Sequence, residues 1–97
     1  MKTIYKYELE VADRQMVKLP VGAEILSVFS QKKEGTEELF IWAMIDTKEE
    51  NTSVRWINVY GTGNPIIDSE YLDLKFIGTC HMFKGSLVWH VFESVGS

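Results

Sequence analysis

The chain has one cysteine, Cys80, two prolines, two histidines and, among ten basic residues, only two arginines, Arg14 and Arg55. A single cysteine excludes an internal disulfide. Two arginines confine bidentate recognition of a phosphate or carboxylate to two places, of which Arg55 has the more suggestive neighbours. Positive charge is also scarce: 14 acidic residues against 10 basic ones leave a formal charge of -4, and binding to a nucleic acid backbone regardless of sequence lacks its usual cation surplus. A secretory signal and an apolar run of about 18 residues are both missing. The expectation is a cytoplasmic chain without a membrane span. The N-terminal segment alternates from Ile4 onward, as a strand does, and lacks the continuous apolar stretch of a signal peptide.

What is present is β-forming. Of 97 residues 45% are hydrophobic, enough for one domain, 1–97, with a small core whose stability is modest or shared with another copy. Apolar residues recur with period two, so the expected fold is all-β, a small antiparallel sheet or sandwich of about seven strands. In the first, Thr3 to Val11, Tyr5, Tyr7 and Leu9 share one side, with Lys6, Glu8 and Glu10 on the other. A turn at Asp13 to Gln15 leads to Met16 to Pro20, and a third strand covers Ile25 to Gln31. The charged stretch Lys32 to Glu38 reads as an exposed hairpin connection. Strands at Leu39 to Asp46 and Val54 to Gly61 are separated by a polar segment, Thr47 to Ser53. One helical turn fits residues 68–73, capped by Asp68 or Ser69. The last two strands, Leu74 to Met82 and Ser86 to Ser94, form a hairpin around Phe83 to Gly85.

Two of these strands lack a polar side. Leu39 to Asp46 is apolar on both faces. In the last strand Leu87, Trp89 and Val91 alternate with Val88, His90 and Phe92. Such strands belong in the centre of a sandwich covered by the chain's own loops, or they meet a second subunit or a ligand cavity. The second alternative makes a homo-oligomer the expected partner state.

The stretch NVYGTGNPII, Asn58 to Ile67, carries the candidate chemistry. Gly61, Thr62, Gly63 and Asn64 are not a Walker-type phosphate loop, because Pro65 follows and no Gly-Lys-Ser/Thr ends the motif. They read as a turn, or as a turn whose backbone N–H groups and Thr62 hydroxyl also meet an anion. On the strand leading there, Trp56, Asn58 and Tyr60 share one face while Arg55, Ile57 and Val59 share the other. Trp56 and Tyr60 could stack a base and Asn58 read its edge, or they are core and interface aromatics. A two-residue turn at Lys84 and Gly85 would pair Thr79 with His90 and place His81 and His90 on one face. Two histidines are a weak metal signal, so no metal or cofactor is assigned and His90 is expected to be hydrogen-bonded in apolar surroundings. Cys80 is expected to be an inert buried thiol. No nucleophile elbow or metalloprotease signature supports an enzyme.

The blocks GAEILSV, FIWAMID, VYGTGNPI, FIGT and LVWHVFE span nearly the whole chain. In that order they resemble a family of short phage and prophage proteins without an assigned activity. The resemblance implies a phage-type origin, a host-cell cytoplasmic location and a role such as sequestering a nucleotide immune signal, and it assigns no residue. The leading expectation is a non-catalytic, homo-oligomeric binding protein for a small anionic or nucleotide-like ligand. Arg55 would meet a phosphate, the Gly61 to Asn64 backbone would donate to it, and Trp56 or Tyr60 would stack. The alternative is an accessory protein that docks on a protein partner without a small ligand.

Overall fold

A computed structural model describes residues 1–95. Its strands are β1 (Lys2–Leu9), β2 (Arg14–Pro20), β3 (Glu24–Lys33), β4 (Thr36–Asp46), β5 (Thr52–Gly61), β6 (Leu74–Met82) and β7 (Leu87–Ser94), with one short helix, α1 (Asp68–Tyr71), between β5 and β6. They form two antiparallel sheets, one of three strands in the order β1-β4-β3 and one of four in the order β2-β5-β7-β6. Period-two alternation gives each sheet an apolar inner face. Leu9, Leu39 and Ile41 from the first sheet meet Ile57, Val59, Cys80, Met82 and Val91 from the second in one buried cluster. A neighbouring cluster joins Leu19 and Ala23 to Ala43 and Ile45. Leu9, Leu19, Leu39, Ile41, Ile57 and Val91 are the largest side chains removed fully from water, each contributing about 1.5–3 kcal/mol by transfer.

Both strands without a polar side are central strands. β4 lies between β1 and β3, and β7 between β5 and β6. On the outer face of β4, Phe40 and Trp42 stack on Phe29 at centroid distances of 5.4 and 4.5 Å, and the Lys6 ammonium sits 4.8 Å from the Phe40 ring centre. Side chains, not a ladder, close the flank of the sandwich where β3 meets β6. Beside β6, the Ser30 hydroxyl donates to the His81 carbonyl (2.9 Å) and the Phe83 amide donates to Glu37 Oε2 (2.7 Å). Gly78 allows this approach, since a Cβ there would lie 3.1 Å from Val28 Cγ1.

Three local expectations are corrected. β3 and β4 run through the charged stretch Lys32 to Glu38, pairing Lys33 with Thr36, and only Glu34 and Gly35 make the turn, at φ 53° and 82°. Charged side chains at solvated strand ends resemble a loop in composition, whereas two left-handed residues match the twist of a hairpin. β2 begins at Arg14, inside the expected turn. The N-cap of α1 is Ile67 and it carries no side-chain cap, so neither Asp68 nor Ser69 has that role.

One ion pair joins β5 to β7 on the inner face of the four-stranded sheet and reaches the β2–β3 connection. The guanidinium of Arg55 forms a two-pronged pair with Glu93, through Nε to Oε2 and through Nη2 to Oε1 (3.0 Å), while Nη1 donates to the Ala23 carbonyl (2.7 Å). Glu93 is 6% exposed. Truncating one partner of such a pair strands the other charge. Arg55→Ala is expected to lower the free energy of urea unfolding by about 3–5 kcal/mol, and the apolar double replacement Arg55→Met with Glu93→Leu to recover most of that loss. In the last hairpin Phe83, Lys84 and Gly85 all have positive φ (52°, 57° and 87°). Left-handed backbone costs a residue with a Cβ about 1–2 kcal/mol. Lys84→Gly is therefore expected to stabilise by about 1 kcal/mol in the same assay and Gly85→Ala to destabilise by a similar amount.

Candidate functional site

β5 and β6 each pair antiparallel with β7 from opposite sides, so they run parallel to one another. Gly61, at the end of β5, is level with Trp89 and Cys80, whereas Leu74, at the start of β6, is level with Ser94 and Trp56. The connection 62–73 must therefore travel the length of the sheet. It does so across the outer face, and at its end the bond from the Val95 amide to the Asp73 carbonyl (2.8 Å) adds one more rung to the β6–β7 ladder.

Beneath this crossover lies a cleft of about 560 Å³. Its floor is Asn58, Tyr60, Leu74 and Ser94, its roof Asn64, Pro65, Ile67, Glu70 and Asp73, and one wall Asp13 and Arg14. Asn58 is buried; its amide donates to the Tyr60 hydroxyl (3.3 Å) and its carbonyl accepts from Ser94 (3.5 Å). Tyr60 packs edge-on against Phe92 at 5.8 Å, and Phe92 likewise meets Phe76 at 5.2 Å. Three carboxylates, Asp13, Glu70 and Asp73, line the cleft against one guanidinium, that of Arg14.

The structure gathers Asn58, Tyr60 and Asn64 of the sequence candidates in this cleft. Trp56 shares their face, but its ring is covered by the Arg14 guanidinium at 4.5 Å. Arg55 lies on the opposite face, held by Glu93 and Ala23. Gly61 to Asn64 form a turn closed by the Asn64 amide and the Gly61 carbonyl (3.0 Å). Of its residues only Gly63, the third, has positive φ, 88°, which is the type II pattern. The Asn64 N–H is thus committed within the turn. Gly61 is needed for a different reason: a Cβ there would meet Asn64 Nδ2 at 3.1 Å and Trp89 Cζ3 at 3.4 Å.

His90 anchors this turn to the sheet. Its Nε2 bonds the Thr62 hydroxyl (2.7 Å) and its Nδ1 the Thr79 hydroxyl (3.0 Å), so both ring nitrogens are engaged. The pairing of Thr79 with His90 is the one that a two-residue turn implies. His81 lies farther along β6, paired with Val88 and exposed to solvent. No group of three or more metal-ligating side chains occurs among the described residues.

Sequence reasoning missed Arg14, Asp13, Glu70 and Asp73. Arg14 had a signal, as one of only two arginines. The acidic residues had none: Asp13 stands at the cleft only because β2 pairs with β5, and Glu70 and Asp73 only because the crossover passes above β5.

Cys80 is buried on the inner face. Burial, above all, raises its pKa; the Ser30 hydroxyl opposes the rise and the Glu37 carboxylate adds to it. Little thiolate forms near neutral pH, and reactivity requires thiolate. Ellman's reagent is expected to titrate no thiol in the folded protein and one in urea; rapid native labelling would contradict this placement.

No helix among the described residues is long and apolar enough to cross a membrane. Neither a curated protein nor a solved structure matches the chain. One family does, over residues 1–97. With its seven strands in two antiparallel sheets, the chain belongs to the family described as a domain of unknown function, DUF7352.

Proposed function

We propose that the protein is a non-catalytic binding protein that takes a small, planar, polar ligand such as a nucleoside or mononucleotide in the cleft beneath the β5–β6 crossover. The observation that carries this reading is the convergence of Asn58, Tyr60 and Asn64 with Arg14 around about 560 Å³ of space, a size suited to small molecules. Amide and hydroxyl groups there supply hydrogen bonds to a heterocycle, and the Tyr60 ring supplies an apolar contact. The phosphate clamp moves from Arg55 to Arg14, since Arg55 is occupied on the inner face. The three carboxylates oppose a second or third phosphate on the ligand, so a nucleoside or monophosphate fits better than a di- or triphosphate. Resemblance of the block order to short phage proteins supports a phage-encoded protein that sequesters such a molecule in the host cytoplasm.

A second reading is favoured by one observation. Met16, Trp56, Phe76, Ile67, Tyr71 and Leu72 are all exposed apolar side chains on the four-stranded sheet and its crossover, and exposed apolar area of this kind also suits a protein partner. Native mass spectrometry of gently purified protein separates the two: a retained adduct of nucleotide size supports the first, and a bare chain that co-purifies with a protein supports the second. With adenosine and adenosine monophosphate as probes in calorimetry, Asn58→Leu is expected to weaken binding about tenfold or more. Arg14→Ala should weaken the monophosphate selectively. Failure of both probes and of every nucleobase analogue to bind overturns the ligand reading.

A further inference from the structure

The edge of the three-stranded sheet has a feature independent of the cleft. The Met1 carbonyl accepts a bond from the Thr47 amide (2.9 Å), one step beyond the Lys2–Asp46 pair. Bonded and non-bonded pairs alternate along an antiparallel ladder, so the odd residues of β1 exchange bonds with β4. Lys2, Ile4, Lys6, Glu8 and Glu10 turn their N–H and C=O groups outward. Glu10 is already satisfied: its amide donates to Gln15 Oε1 (2.8 Å) and its carbonyl accepts from Gln15 Nε2 (2.6 Å). The Gln15 side chain thus imitates a neighbouring strand at one point. From Lys2 to Glu8, no backbone hydrogen bond from a further strand reaches β1 among the described residues.

We propose that this open edge pairs with β1 of a second copy, antiparallel about a two-fold axis at Tyr5, joining two three-stranded sheets into one of six. Hydrogen-bond parity and charge select the register. With the axis at Tyr5, Lys2 faces Glu8 of the other copy, whose Oε1 holds Lys33 (2.7 Å) and whose second oxygen is left for Lys2; Ile4 faces Lys6, and about eight backbone bonds form. An axis at Ile4 sets Lys2 against Lys6, and an axis at Lys6 sets that residue against itself; like charges directly opposite are unfavourable. An axis at Tyr7 runs into Glu10, whose groups Gln15 occupies. Edge lysines ordinarily deter such pairing, but Lys6 is drawn sideways over Phe40 and bonded to Gln31 (2.9 Å). Ile4 and Tyr5, 48% and 52% exposed, become covered in the pair, Tyr5 against its own copy. The arrangement is isologous and closes as a dimer.

Sedimentation and cysteine cross-linking of the full chain test this. The wild type is expected to sediment at twice 11.2 kDa at roughly 100 µM, a concentration that detects even weak self-association. In oxidising buffer Tyr5→Cys should give a disulfide dimer, since non-bonded antiparallel pairs place Cα atoms about 4.5 Å apart, within disulfide reach. Ile4→Cys and Lys6→Cys should not. Lys2→Glu and Glu8→Lys should each weaken the dimer about tenfold, and mixing the two variants should restore it, because each strand then meets its complement. Ile4→Pro removes only an outward N–H and should give a folded monomer, with circular dichroism as the check on folding. A monomeric wild type, preferential cross-linking at position 4 or 6, or a folded Ile4→Pro chain that still dimerises would each overturn the proposal. If Ile4→Pro does not fold, the charge-swap mixture decides.

Discussion

Strand order in the four-stranded sheet is the constraint from which the candidate site follows. Because β5 and β6 flank β7 and run in the same direction, the chain leaving Gly61 cannot turn tightly into its next strand. Parallel neighbours need a crossover, and a crossover has to lie on one face of the sheet. The inner face is filled by the core, so the connection takes the outer one. A type II turn at Gly61 to Asn64 sends it there, and the hydroxyls of Thr62 and Thr79 hold His90 between turn and sheet. The cleft is the space left where a twelve-residue connection (residues 62–73) crosses a surface of uneven side chains.

Both arginines are committed, each to different physics. Arg55, largely buried, meets a carboxylate through a planar fork and a carbonyl of the β2–β3 connection, the kind of partnering that makes a buried guanidinium tolerable. Arg14 sits over the Trp56 ring at 4.5 Å, where a weakly hydrated cation gains from the ring face while keeping contact with water. Only the second lines the cleft. The difference follows from strand alternation: Arg55 is an odd residue on β5, on the inner side, and Arg14 stands beside Asn58 on the outer side.

Much of this was legible in the chain because strand alternation is local. The split of Trp56, Asn58 and Tyr60 from Arg55, Ile57 and Val59 required only a period of two, and the apolar character of β4 and β7 marked them as central. The partner of Arg55 was not legible. Glu93 lies 38 positions away, and nothing in either local sequence distinguishes a buried carboxylate from a solvated one. The same limit applies to the cleft, whose acidic roof depends on how the crossover settles. The short turn at Glu34 and Gly35 was hidden for another reason, because strand ends exposed to water tolerate the same charged residues as loops.

Only β3 with β4 and β6 with β7 join strands that follow one another in the chain. β1 must find β4, β2 must find β5 and β5 must find β7, each past at least one intervening strand. Most of the closure entropy therefore falls due before the core can form, which places this domain among the slower β folders, on millisecond-to-second timescales. Its two hairpins are the natural places for structure to begin, one in each sheet, and the collapse that joins them brings Gly78 against Val28. During that interval β1 and β2 remain unpaired, exposing the tyrosines of β1 to the first complementary strand they meet.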